Sequence, residues 1–157
     1  MTLPGAFYDC YVLVRSRSAN LVVAFLDHFL PARAESAAEY QVPQYSPAPS
    51  HRFQVASELL AYLEQHPNEP HTIYWRSLAA VGPAHAMACA TDDGALILGL
   101  SCEAEPAVAE RLLAEMKQSV GSADGAIWLE SSPPRSASRF LRECVLYGAG
   151  THIGTET

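Results

Sequence analysis

Two periods alternate along this chain, and the switches between them mark nine elements. From Phe7 to Arg15, Tyr8, Cys10, Val12 and Val14 fall on one side of an extended chain, and Phe7, Tyr11 and Leu13, with Asp9, on the other. Apolar residues on both sides predict a strand covered on both faces. Val22, Phe25, Leu26, Phe29 and Leu30 then recur at i, i+3, i+4, i+7 and i+8, the stripe of an amphipathic helix, with Ser18 as its N-cap and Pro31 at its end. A second helix carries Val55, Leu59, Tyr62 and Leu63 on one face and is broken by Pro67, Asn68 and Pro70. His71 to Leu78 reads as a strand with Ile73 and Trp75 facing one way and Tyr74 and Arg76 the other. Pro106 at a first helical position, a stripe of Val108, Leu112, Leu113, Met116 and Val120, and Gly121 beyond it define a third helix. A short strand at Ala126 to Glu130 and a last helix started by Ser132 and Pro133, holding Phe140, Leu141 and Cys144, complete the pattern.

Between the second strand and the third helix, Ala84 to Ala90 and Ala95 to Cys102 flank Asp92-Asp93-Gly94. Asp-Gly is a preferred central pair of a two-residue hairpin turn. With Asp93 and Gly94 in the turn, Thr91, Cys89 and Met87 face Leu96, Leu98 and Leu100, and His85 faces Cys102. The large apolar side chains then share one face, and Ala86, Ala88, Ala90, Ala95, Ile97, Gly99 and Ser101 the other. Pro31 to His51, by contrast, has prolines at 31, 43, 47 and 49 and no strong period, so it reads as a long irregular connection. Loops of that length are commonly functional, which draws attention to Tyr40 and Tyr45.

The expected architecture is α+β, a mostly antiparallel sheet of about five strands with helices packed on it, in the order β-α-α-β-β-β-α-β-α. Residues 1–147 form a single domain, and the Gly/Thr-rich residues 148–157 read as a flexible C-terminal tail.

Composition narrows the function. The 157 residues are 49% hydrophobic and 17% charged with a formal net charge of −7, as expected of one acidic globular domain. A single lysine, Lys117, and nine scattered arginines make a nucleic-acid partner unexpected, since such binding needs clustered cations to displace phosphate counterions. The apolar runs are too short for a membrane span and the start lacks a basic leader region, so a cytoplasmic location without a membrane partner is expected. Cys10, Cys89, Cys102 and Cys144 are widely spaced and read as free thiols.

Familiar catalytic patterns are missing: there is no G-x-G-x-x-G, phosphate loop, H-E-x-x-H, C-x-x-C or G-x-S-x-G. The sharpest candidate is His85 opposite Cys102 with Cys89 nearby, a potential nucleophile pair or half of a metal site. Its apolar surroundings favour packed thiols beside a core-edge histidine. His28, His51, His66 and His152 lack ligand spacing, and neither a metal nor a cofactor is expected. In Tyr74-Trp75-Arg76, one aromatic belongs to the core and Arg76 is free to pair with an acid or an anion. Acid is concentrated between residues 77 and 134, where eight acids against Arg111 and Lys117 leave −6. Within that stretch Asp92 and Asp93 at the hairpin tip, with Glu103 and Glu105 before the third helix, are the candidate partner-binding residues, suited to a basic surface.

The stretch Pro67-Asn68-Glu69-Pro70-His71-Thr72-Ile73-Tyr74-Trp75-Arg76, followed by Thr91-Asp92-Asp93-Gly94-Ala95-Leu96-Ile97-Leu98-Gly99-Leu100 and a helix-strand unit, resembles small bacterial immunity proteins encoded beside polymorphic or secretion-system toxins. The resemblance covers the middle and C-terminal two-thirds of the chain and carries over no functional residue. It implies a cytoplasmic, non-enzymatic protein that neutralises a cognate toxin by direct binding. The alternative is a small enzyme or small-ligand-binding protein with a pocket between the Pro-rich loop and the sheet, using His85, Cys102 and Arg76. A homo-oligomer joined through the small-residue face of the hairpin is a third expectation.

Overall fold

The computed structural model describes residues 7–147 and 151–153. Its elements in chain order are β1 (Tyr8–Val14), α1 (Ala19–Phe29), β2 (Arg33–Glu35), β3 (Tyr40–Val42), β4 (His51–Phe53), α2 (Ala56–Gln65), β5 (His71–Ser77), β6 (His85–Ala90), β7 (Leu96–Cys102), α3 (Pro106–Val120), β8 (Gly125–Leu129), α4 (Ala137–Tyr147) and β9 (Thr151–Ile153). Seven strands form one sheet in the order β2-β5-β6-β7-β1-β8-β9, antiparallel except for the β8–β9 pair, and β3 and β4 form a small hairpin of their own. The α+β architecture is the expected one.

The Pro31–His51 segment is not irregular: it contains β2, which extends the sheet at β5, and β3, which pairs with β4. Each strand is three residues long, too short to leave a period in the sequence. Of the expected tail, Thr151–Ile153 lies parallel to β8, and residues 148–150 and 154–157 fall outside the described residues. The last helix begins at Ala137, later than Ser132-Pro133 suggested, with the Ser136 hydroxyl accepting from the Arg139 N–H at 3.2 Å.

β1 sits inside the sheet between β7 and β8 and is buried along its whole length, as its two-sided apolar pattern predicted. One face meets α1, α2 and α3: Cys10, Val12 and Val14 pack there with Leu96, Leu98 and Leu100, Phe25 of α1, Leu59 of α2 and Leu113 of α3. α4 covers part of the other face, where Phe140 joins Tyr11, Leu13, Ile97 and Trp128.

The hairpin register differs from expectation by one residue. Ala90 pairs with Leu96, Cys89 with Ile97, and His85 with Ser101, not Cys102. Asp92-Asp93-Gly94 form a three-residue connection, Gly94 has φ of +92°, and the Thr91 hydroxyl accepts the Ala95 N–H at 2.9 Å. The face toward the three helices therefore combines Ala86, Ala88 and Ala90 with Leu96, Leu98 and Leu100, small beside large, so helices approach the β6 side without displacing the leucines. Gly99 falls on the other face, where the Tyr11 ring and Met87 occupy the space that a β-carbon would need, the closest atom standing 2.7 Å from it.

Candidate functional site

The hairpin tip and α4 are built together. The Asp93 carboxylate accepts the N–H groups of Ala137 at 2.8 Å and Ser138 at 3.2 Å, which caps the helix, and the Asp92 N–H donates to the Arg135 carbonyl. Desolvation pushes the Asp93 pKa up, but these donors outweigh it and hold the carboxyl below its ordinary value. Both aspartates are exposed, but the Asp93 carboxylate is committed to capping α4. Glu103 and Glu105 are also exposed but follow the far end of β7. Seven strand residues put roughly 20 Å between the two acidic pairs. The four predicted contact residues therefore form two separate spots.

Beyond the reach of α4, a polar row crosses the sheet. Register places Arg76 of β5 opposite His85 of β6, His85 opposite Ser101 of β7, and Ser101 opposite Asp9 of β1. Asp9 and Ser101 are buried, while Arg76 and His85 are exposed. The Ser101 hydroxyl donates to one Asp9 oxygen at 2.5 Å and the Ser131 N–H to the other at 2.9 Å. Burial pushes the Asp9 carboxyl above its ordinary value; these two donors offset part of the effect and the Glu130 charge adds to it. A serine, a histidine and an aspartate thus share one row, but the serine proton faces the carboxylate directly, without the intervening imidazole of a hydrolytic triad.

Cys102 lies on the opposite face from His85, buried beside Cys10, which dissolves the expected His85–Cys102 pair. Thr72, Tyr74 and Arg76 share the polar row's face, and Trp75 points to the three-helix core, as the strand alternation predicted. Tyr74 is 41% exposed, and Leu78 and Val81 in the β5–β6 connection are more so. Sequence reasoning missed Asp9 and Ser101. The signal for Asp9 was present, a carboxylate inside an otherwise apolar two-sided strand.

A cleft of about 300 Å³ separates the Ser36–Tyr45 segment from β5, where the alternative reading had located a pocket. It is bordered by Tyr40, Gln44, Tyr45, His71, Thr72 and Tyr74, and not by His85, Cys102 or Arg76. Among the described residues, no group of three or more His, Cys, Asp or Glu is arranged to hold a metal ion, and no helix is long and apolar enough to cross a membrane. Comparison of the chain with family models, curated proteins and solved structures finds no match.

Proposed function

We propose that this protein is an immunity-type binding protein of the bacterial cytoplasm that neutralises a cognate toxin by direct contact. The observation that carries the reading is the half of the α4-side sheet face that no helix among the described residues covers, where Tyr74, Arg76 and His85 stand exposed on adjacent strands. Aromatic residues and arginine are the types that dominate binding energy at protein interfaces, and they do so from flat, well-supported positions such as a sheet. Leu78 and Val81, 59% and 85% exposed, extend the same region with apolar surface of the kind that partners cover. Glu103 and Glu105 follow the strand end nearest Ser101 and act as rim charges that speed encounter with a basic toxin surface, with Asp92 a more distant contributor to the same field.

The test is capture and rescue. Co-expression with the product of an adjacent gene should restore growth, and the two proteins should co-purify. Tyr74→Ala and Arg76→Ala should each weaken the complex about tenfold or more. Glu103→Lys with Glu105→Lys should slow association and flatten its salt dependence. Failure of every neighbour-encoded protein to bind would remove the reading.

A further inference from the structure

We propose that the cavity enclosed by α1, α2 and β2 binds a free α-amino acid with an aliphatic side chain. It measures about 200 Å³, below the range of drug-sized ligands and the right scale for a single amino acid. Its floor is apolar. Leu26 of α1, Ala56 and Leu60 of α2 and Trp75 of β5 border it, each no more than 5% exposed, and all four belong to the three-helix core. A branched aliphatic side chain seated on them leaves water, which favours binding.

The rim carries one charge of each sign. Arg33 and Glu35 lie two residues apart on β2, hence on one side of the strand, and both border the cavity. Glu35 is in register with Trp75, which turns that side toward the three helices. About 6.6 Å of strand separates the two residues, within reach of long side chains of opposite sign, yet each is held by other partners. Nη1 of Arg33 donates to Asp27 Oδ1 at 2.9 Å and to the Leu30 carbonyl at 3.3 Å, which draws the guanidinium toward the end of α1. Oε1 of Glu35 accepts the Tyr40 hydroxyl at 2.8 Å and the Ala56 N–H at 2.7 Å, which draws the carboxylate toward the start of α2.

Each charged group keeps a free edge. Among the described residues, Nε and Nη2 of Arg33 and Oε2 of Glu35 make no hydrogen bond. Nε and Nη2 are the side-by-side donors that grip a carboxylate through two parallel bonds, and a carboxylate oxygen accepts from an ammonium. Neither side chain is sealed off: that of Arg33 is 22% exposed, and Glu35 is exposed. A ligand that satisfies both must hold an anion and a cation a few bonds apart with an apolar group beside them, which describes an α-amino acid. Within a peptide chain the same residue has neither charge, so the free molecule is the ligand. Asp27 and Glu35 against Arg33 leave the rim one negative charge in excess, which disfavours a simple carboxylic acid and which an ammonium group offsets. The cavity lies on the helix-covered side of the sheet, opposite Tyr74, Arg76 and His85, so it is separate from the proposed toxin interface.

Leucine, 3-methylbutylamine and 4-methylpentanoate share one side chain and differ only in which charges they carry. Titration of the intact protein with each, followed by NMR at the Trp75 indole and the Leu26 and Leu60 methyl groups, tests the site. Leucine should give saturable shifts at these positions and bind about tenfold more tightly than either relative. Glu35→Gln, which keeps an acceptor for Tyr40 and Ala56, should bring leucine down toward the affinity of 4-methylpentanoate, and Arg33→Gln toward that of 3-methylbutylamine. The three-ligand comparison uses the unaltered chain and decides alone if a variant does not fold. Leucine without saturable shifts overturns the proposal, as does either relative binding as tightly as leucine.

Discussion

The two faces of the sheet differ in how completely they are covered. Three helices seal one face, and every position that β1, β6 and β7 present to them is apolar: Val12, Ala88 and Leu98 lie side by side in one row and their neighbours repeat the type. Among the described residues, the other face has one helix. Under α4 it is equally apolar, but one strand end further on the same strands present Asp9, Ser101 and His85. Sheet residues become polar where the second layer stops, since an exposed sheet face supplies surface for recognition only where packing does not claim it.

The largest effect that separates the faces is truncation under the sealed one. Leu98→Ala leaves a cavity among side chains already fixed by α1 to α3 and should cost about 2–5 kcal/mol in urea unfolding. Next comes pH, where the two faces carry opposite slopes. His71 lies on the sealed face with its pKa lowered by burial, so its contribution is complete above about pH 6.5 and is lost as pH falls through the lower folded value. Asp9 lies on the open face with its pKa raised by burial, so its contribution is complete below about pH 3.8 and is lost as pH rises through the higher folded value. Unfolding midpoints across pH for His71→Gln and Asp9→Asn should each lose only their own slope. Smaller is Asp93→Ala, which uncaps α4 and should cost about 1 kcal/mol, read as a lower melting temperature. Smallest is Tyr74→Ala on the open face, within about 0.5 kcal/mol of the parent in stability although it weakens partner capture, a separation that shows the face to be unclaimed by the fold.

Elements with many residues per period were legible. The stripe of α1, its Ser18 cap accepting from the Leu21 N–H at 3.2 Å, Pro106 at the start of α3 and the left-handed Gly121 at its end all follow from local spacing. The hairpin register was not, because a distant contact sets it. Asp93, read as a turn residue, is recruited by the α4 N–H groups more than forty residues later, and Thr91 closes a longer loop with its own hydroxyl. That single shift moved Cys102 away from His85 and put Ser101 in its place, so the polar row was hidden although each of its residues stood in plain view. The cleft was legible only as a location. Its lining comes from β3, the segment after it and the edge of β5, and three-residue strands leave no signature from which side-chain direction can be read.

Arg17 ties these regions in time as well as in space. Its buried guanidinium donates to the carbonyls of Leu63, His66 and Glu69 around the end of α2, and to that of Thr91 at the start of the hairpin loop. Those acceptors are synthesised 46 to 74 residues after the arginine. Burying a guanidinium costs free energy unless its donors find acceptors, and the full set for this one is present only once the chain has passed β6. A nascent chain that stalls before Thr91 therefore lacks one of the four carbonyls that hold the guanidinium, the one that ties the end of α2 to the hairpin.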